Sequence, residues 1–241
     1  MATRPTSSPL ARLIAFAGGL VFVGSLAYFA WTYVWRFDQP APAGTVAATA
    51  AAFDVILFSV FALHHTLFAR TGLKHWVQRA APPQLERSIY VWIASLLLIA
   101  VCWWWQPVPG VLWQVEGAGA WLLYALQLVG GVGTLVAAAR LDVLELAGVR
   151  QVLRQSTDTH PLHLHDRDVY GLVRHPIYTA WVVLVWCAPL MNGTRLVFAA
   201  ISSAYLFVAV PFEERDLVRA FGPRYSEYQR RVRWRIIPFV Y

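Results

Sequence analysis

The sequence predicts an all-α, polytopic membrane protein with five or six transmembrane helices. Of its 241 residues, 58% are hydrophobic and only 14% are charged, whereas about a quarter of the residues in soluble domains are charged. The apolar residues recur in separate runs, several of which reach the roughly 17–25 residues that cross a hydrocarbon core. Basic residues concentrate in alternate loops, as they do in membrane proteins. We therefore expect a single integral membrane domain over residues 1–241.

Four apolar runs are long enough for complete spans. They are Leu13–Trp35, Phe53–Ala69, Ile89–Trp105 and Trp121–Ala139. The Ala-rich stretch from Val46 can extend the second run towards the N-terminus. The fourth run contains Gly130, Gly131 and Gly133, and small residues at this spacing let two helix backbones approach closely. No strand pattern precedes these glycines, so helix packing is favoured over a nucleotide-binding loop.

Two shorter apolar stretches follow, Ile177–Met191 and Leu196–Pro211, each of about 15 residues and therefore marginal for a complete span. The residues between them, Asn192, Gly193 and Thr194, are typical of a turn. This pattern predicts two antiparallel helices of equal length, joined by a tight turn.

Such a hairpin brings the residues at the start of its first helix to the residues at the end of its second. We therefore expect Arg174, His175 and Tyr178 to lie beside Glu213 and Glu214. Ionisable groups near a membrane interior are costly to bury and are candidates for function. The alternative is a pair of helix-end charges solvated by lipid headgroups, and the spacing alone leaves both interpretations open.

The distribution of basic residues predicts the orientation. Most of them lie before the first span, in segments 70–87 and 140–174, and after Pro211, whereas segment 106–120 has none. Both termini and the polar C-terminal segments are therefore expected in the cytoplasm. The net charge of +7 is then explained by contact with membrane lipids, and we expect no nucleic-acid partner.

A histidine-rich segment offers an alternative kind of site. His160, His163 and His165 lie close to Asp166 and Asp168, and zinc sites favour imidazoles supported by carboxylates. The histidines lie in a loop with no cysteine nearby, however, and we expect no bound metal.

Motifs in the last third of the chain carry a resemblance to a known family. The segment VRHPIY is followed, after one apolar hairpin, by EERDL, by FGPRYSEYQRRV and by a final Ile-Pro. This combination resembles the membrane methyltransferases, which include the isoprenylcysteine carboxyl methyltransferases and the phospholipid methyltransferases. The segments FDVILFSVFALHHTLFAR, PPQLERSIYV, WQPVPGVLW and LDVLELAGVRQV look like the bacterial methanethiol S-methyltransferases and the related NnrU-like proteins.

The resemblance implies S-adenosylmethionine as methyl donor, bound at the cytoplasmic end of the last helices within about residues 140–241 of a protein of the bacterial inner membrane. Matched by position, the residues expected to bind this cofactor are Leu164, His165, Tyr170, His175, Pro176, Ile177, Tyr178 and Glu213. The donor also carries a sulfonium, an ammonium and a carboxylate group. Tyr170 and Tyr178 can face the cation, Glu213 with Glu214 can pair the ammonium, and Arg174 or Arg150 can hold the carboxylate.

Two departures from the family pattern bear on the methyl acceptor. The prenylcysteine-methylating enzymes that this chain resembles share an arginine one helical turn before the glutamate that matches Glu213. This chain has Ala209 at that position. The thiol-methylating branch usually reads QHS where this chain has His64, His65 and Thr66. The first departure disfavours a carboxylate acceptor, and the second leaves the identity of the acceptor open.

The leading interpretation is a methyltransferase for a small thiol such as methanethiol, reaching the site through the membrane. A thiol reacts as its thiolate, so the candidate catalytic residues are His64, His65 and Glu214. The enzyme alternatives methylate a lipid amine or an isoprenylcysteine carboxylate. A non-catalytic or haem-linked NnrU-like protein is an alternative of another class, in which His64 or His65 ligates haem or is an ordinary interior histidine.

Overall fold

The computed structural model describes residues 8–68, 79, 82–139, 143–153, 164 and 166–241. Its main elements, in chain order, are α1 (Pro9–Trp31), a π-helical turn (Thr32–Arg36), α2 (Ala47–Phe68), α3 (Glu86–Trp104), β1 (Val111–Gln114), α4 (Gly117–Ala139), α5 (Val143–Leu146), α6 (Arg150–Leu153), α7 (Pro176–Trp186), β2 (Leu190–Asn192), α8 (Gly193–Phe221) and α9 (Pro223–Arg231). Within these described residues, five helices are long and apolar enough to cross a membrane: α1 to α4 and α8. The predicted all-α, polytopic membrane protein is confirmed.

The two C-terminal apolar helices differ in length, although the sequence predicted equal ones. Helix α7 has 11 residues, whereas α8 has 29 and continues through Pro211 to Phe221. A proline removes one intrahelical hydrogen bond, but within a packed membrane helix the surrounding structure can compensate for it. Val210 and Glu214, on either side of the proline, are both buried. The helix end predicted near Pro211 is therefore wrong, because packing on both sides maintains the helix.

An extended segment, rather than a tight turn, connects α7 to α8. Strand β2 pairs antiparallel with β1, and the Asn192 side chain accepts a hydrogen bond from the Arg195 backbone N–H at 2.9 Å, which caps the start of α8. A β-carbon on Gly193 would come within 2.6 Å of the Pro109 carbonyl oxygen. The predicted turn is therefore wrong, because the polar and small residues that indicated it serve as a strand end and a helix cap.

The chain divides into two compact units. Unit 1 comprises Met1–Gln39, Ala52–Gln106 and Leu141–His160, and unit 2 comprises Pro40–Ala51, Pro107–Arg140 and Pro161–Tyr241. In unit 1, α1 packs on α3, and the Trp92 indole N–H donates to the Ile14 carbonyl oxygen at 3.0 Å. In unit 2, α4 packs along α7, and α8 packs on α7 and α9. The single domain over residues 1–241 stays a prediction.

Small residues bring α4 and α7 into close contact. A β-carbon on Gly130 would lie 2.6 Å from the Leu184 backbone nitrogen and 2.7 Å from the Ala180 carbonyl oxygen, and one on Gly133 would lie 3.2 Å from the Ala180 β-carbon. Across the same contact, the Gln127 amide donates to the Leu184 carbonyl oxygen at 3.1 Å. The helix-packing interpretation of these glycines is confirmed.

We expect Gly130→Ala to lower the free energy of unfolding by about 1–3 kcal/mol, because the added methyl group overpacks the contact. Gly131→Ala is the matched control, since its nearest neighbour would be a Leu184 side-chain carbon at 3.9 Å and alanine is otherwise favoured over glycine in helices. Thermal unfolding in detergent micelles measures both. Equal melting temperatures for the two variants would contradict the close approach of α4 to α7.

Candidate active site

The C-terminal tail holds the start of α7 in place. Pro176 occupies the first turn of the helix, a position where its missing N–H costs nothing. Immediately before it, the backbone N–H groups of Arg174 and His175 donate to the carbonyl oxygens of Trp234 and Arg235, at 2.9 and 2.8 Å. The sequence-predicted side chains therefore project from a segment fixed by the tail.

Glu214 lies at the centre of a buried ionic cluster in unit 2. Its side chain is 5% exposed. Arg174 Nε donates a hydrogen bond to Glu214 Oε1 at 2.5 Å, and His175 Nε2 lies 3.3 Å from the same oxygen. On Oε2, Gln229 Nε2 and Arg235 Nε each donate at 3.2 Å, and Arg174 Nη2 donates at 3.3 Å. A carboxylate offers about four acceptor positions, so these four side chains fill its capacity.

Arg174 is committed to the same cluster. Its side chain is 7% exposed, and Nη1 donates to the carbonyl oxygens of Val232 and Arg233 at 2.6 and 2.9 Å. With its two bonds to Glu214, the guanidinium group thus makes four bonds with its five N–H groups. This arginine has little capacity left to bind a ligand.

Glu213, the neighbouring residue on α8, has different surroundings. Its side chain is 44% exposed, and His175 Nδ1 lies 3.6 Å from its Oε2. The Tyr178 hydroxyl donates to the same oxygen at 2.8 Å, and the Tyr178 ring stacks on His175 at 5.3 Å with an interplanar angle of 5°. The carboxylate is thus held in place by one oxygen while remaining accessible, which suits it to bind a cation.

Helix α9 contributes two buried tyrosines, Tyr225 and Tyr228, whose rings meet edge to face at 5.6 Å. The Tyr228 hydroxyl donates to the Tyr170 carbonyl oxygen at 2.7 Å, whereas the Tyr225 hydroxyl has no partner among the described residues. Burial raises the pKa of both phenols above the ordinary value, and the Glu214 carboxylate adds to this rise for Tyr225. Both groups are therefore neutral hydrogen-bond donors at physiological pH.

These tyrosines join the predicted cofactor residues in one hydrophobic cluster. Leu164 and Tyr170 pack against the core of Tyr225, Tyr228 and Val232. Burial raises the pKa of the Tyr170 phenol, and the Glu213 carboxylate adds to the rise. The aromatic cluster therefore lies within electrostatic range of the accessible glutamate.

The structure brings together most of the sequence-predicted site residues. Those placed within unit 2 are Leu164, Tyr170, Arg174, His175, Pro176, Ile177, Tyr178, Glu213 and Glu214. The expected contact of Arg174, His175 and Tyr178 with the two glutamates is present. His165 lies outside the described residues, as do His160 and His163 of the alternative metal cluster. Among the residues that are described, no group of three or more His, Cys, Asp or Glu side chains is placed to hold a metal ion.

His64 and His65 lie near the end of α2, in unit 1. The Tyr90 hydroxyl is 2.8 Å from His65 Nδ1, and the His64 ring stacks on Tyr90 at 5.5 Å and packs against Phe68 at 4.7 Å. Both ring nitrogens of His64 are buried and lack a hydrogen-bond partner in the described part of the chain. Because these histidines belong to unit 1 and the glutamates to unit 2, their catalytic role stays a prediction.

Sequence reasoning missed three residues that shape the site, Tyr225, Gln229 and Arg235. Tyr225 and Gln229 are four positions apart, a spacing that puts both on one face of a helix, and this spacing could have indicated them. No local signal indicated Arg235, because its contact with Glu214 depends on how the tail returns to α8.

Comparison with known proteins finds relatives along most of the chain. It is 36% identical to the methanethiol S-methyltransferase of Mycobacterium tuberculosis, over 94% of the chain and 91% of that protein. It is 35% identical to methanethiol S-methyltransferase 1 of Bradyrhizobium diazoefficiens, over 94% of the chain and 83% of that protein. It is also 30% identical to nurim of Sus scrofa, over 69% of the chain and 67% of that protein.

No family model matches the chain, and no solved structure matches it. The named relatives nevertheless confirm the resemblance to the thiol-methylating branch of the membrane methyltransferases that the motifs indicated.

We expect Glu214→Gln to lower the free energy of unfolding by about 3–5 kcal/mol, because it leaves the buried Arg174 guanidinium without its counter-charge. Glu213→Gln is the matched control, one residue away on the exposed side, and should cost less than about 1 kcal/mol. Thermal unfolding of the ligand-free protein in micelles measures both effects. A Glu214→Gln variant as stable as Glu213→Gln would contradict the central role of the ionic cluster.

Proposed function

We propose that this chain, which belongs to the methanethiol S-methyltransferase family, transfers a methyl group from S-adenosylmethionine to the sulfur of methanethiol. The structural observation that carries the proposal is the Glu213 carboxylate, accessible yet held by Tyr178 beside a buried ionic cluster. This arrangement offers a preorganised partner for the ammonium group of the methyl donor.

The residues present fit such a donor in two further ways. The buried Tyr225 hydroxyl lacks a partner within the described residues, and a buried polar group of this kind often awaits a ligand. Tyr170 and Tyr178 are aromatic residues close to Glu213, and aromatic rings attract cations such as a sulfonium group. S-adenosylmethionine supplies, when bound, an activated methyl group on such a sulfonium.

The contribution of the protein is then chiefly positioning. Glu213 pairs with the ammonium group, and Tyr178 fixes the orientation of Glu213. Glu214 and Arg174 act as positioning residues rather than ligands, because their hydrogen-bonding capacity is used within the cluster. Holding two reactants in line can supply roughly 7–11 kcal/mol of a barrier, so no covalent intermediate on the enzyme is required.

In this function, both termini and the ionic cluster lie on the cytoplasmic side of a bacterial inner membrane. The arginine-rich tail supports this orientation, since seven arginines follow Pro211 and basic residues favour the cytoplasmic side. A cytoplasmic site has direct access to a soluble methyl donor, while a small apolar thiol reaches it through the membrane.

Glu213→Gln should abolish most thioether formation, because it removes the charge that pairs with the donor's ammonium group. A hydrogen bond to a charged group contributes about 1.5–3 kcal/mol, so affinity for S-adenosylmethionine should fall at least tenfold. The measurements are calorimetry with the purified protein and headspace chromatography of membranes given methyl-deuterated donor and methanethiol.

The matched control is Asp216→Asn, which removes an exposed carboxylate paired with Arg219 at 2.9 Å on the same helix. It should leave donor affinity unchanged. Equal amounts of labelled thioether from Glu213→Gln and the unmodified protein would refute the proposed cofactor site. Label appearing in lipid amines or prenylcysteine, with none in the thioether, would refute the thiol acceptor.

A further inference from the structure

Tyr225 in unit 2 is a buried donor with no acceptor among the residues that the structure describes. Its side chain is 2% exposed, and its hydroxyl makes no hydrogen bond within the described residues. The position is fixed by the backbone, since Gly222 adopts a φ of +59° before α9 and the Tyr225 N–H donates to the Gly222 carbonyl oxygen at 3.2 Å. A buried hydroxyl without a partner is unfavourable, so the folded chain maintains an unfavourable group here.

The second buried tyrosine of α9, Tyr228, does have a hydrogen-bond partner. Tyr228 lies one turn further along, is equally buried, and donates to the Tyr170 carbonyl oxygen at 2.7 Å. The two phenols share a ring contact at 5.6 Å, yet only Tyr225 is left unsatisfied. The difference between them therefore identifies the Tyr225 hydroxyl as a group free to bind something else.

The Tyr225 hydroxyl is a neutral donor, so its partner must offer an acceptor oxygen. Arg174 and Arg235 both contact Glu214, and once an ammonium group pairs with Glu213, these two positive charges are balanced only by the one negative charge of Glu214. Arg174 itself is occupied by Glu214 and by two backbone carbonyl oxygens, and it cannot offer its planar fork to a carboxylate. Burial, Glu214 and Glu213 raise the pKa of the Tyr225 phenol and Arg174 lowers it, so the hydroxyl lies within range of these charges and stays protonated.

We propose that the Tyr225 hydroxyl donates a hydrogen bond to the carboxylate of the bound methyl donor, and so selects a donor with an intact amino-acid end. This inference rests on the proposed function. Glu213 would then hold the ammonium group, and Tyr225, within range of Arg174, would hold the carboxylate. The two residues would then match the two charges at the amino-acid end of the donor, Glu213 the positive ammonium group and Tyr225 the negative carboxylate.

The test compares two ligands that differ only in the carboxylate, S-adenosylmethionine and decarboxylated S-adenosylmethionine, by calorimetry in micelles. Tyr225→Phe should lower affinity for S-adenosylmethionine about 10- to 100-fold, as loss of a hydrogen bond to a charged group does. Its affinity for the decarboxylated ligand should match that of the unmodified protein. Without ligand, Tyr225→Phe should melt at the same temperature or higher, since the variant lacks the unsatisfied hydroxyl.

Tyr228→Phe is the matched control for stability, and it should melt lower because the Tyr170 carbonyl oxygen loses its donor. The inference is overturned if Tyr225→Phe binds S-adenosylmethionine as tightly as the unmodified protein, or if it loses affinity equally for both ligands. It is also overturned if ligand-free Tyr225→Phe is destabilised as much as Tyr228→Phe. An unmodified protein that does not bind S-adenosylmethionine would instead refute the proposed function, and the inference with it.

Discussion

The pairing of Glu214 with Arg174 is the interaction on which the site in unit 2 depends. Either charge alone, buried to this extent, would be strongly unfavourable, and each is retained because the other satisfies it at 2.5 Å. Through Arg174 the pair also binds two carbonyl oxygens of the tail. One carboxylate thus connects the segment before α7, the continuation of α8, helix α9 and the tail.

Because of this cluster, one of two adjacent glutamates is buried and fully hydrogen-bonded while the other remains accessible. Successive helical residues point about 100° apart, so Glu214 faces the packed cluster while Glu213 remains 44% exposed. Glu214 has its acceptor positions filled, whereas Glu213 is oriented by one tyrosine and keeps access to a ligand. An accessible carboxylate held beside a rigid, fully paired neighbour is preorganised for a cationic ligand.

The sequence predicted the spans well and the C-terminal region less completely. Runs of apolar residues located α1 to α4, because burial in lipid depends on local composition. Pro211 and Asn192 misled the prediction of the hairpin, since a local preference to break a helix or make a turn was overridden by packing and by pairing of β1 with β2.

Similar limits applied to the site residues. Charge and motif indicated Arg174, His175, Tyr178 and the two glutamates. Nothing in the local pattern distinguished the buried glutamate from the accessible one, or singled out the unsatisfied Tyr225, because both depend on contacts between segments distant in the chain.

The length of α8 determines where Glu213 and Glu214 lie relative to its first residue. At 1.5 Å per residue, its 29 residues extend about 44 Å, well beyond a hydrocarbon core of about 30 Å. The cap at Asn192 fixes one end, so the uninterrupted helix sets both the height and the rotation at which the glutamates emerge. Inserting one residue between the cap and Glu213 would turn the following helix by about 100° and direct a different side chain towards Arg174. The two glutamates are chemically identical, so their different surroundings are set by their positions along the helix.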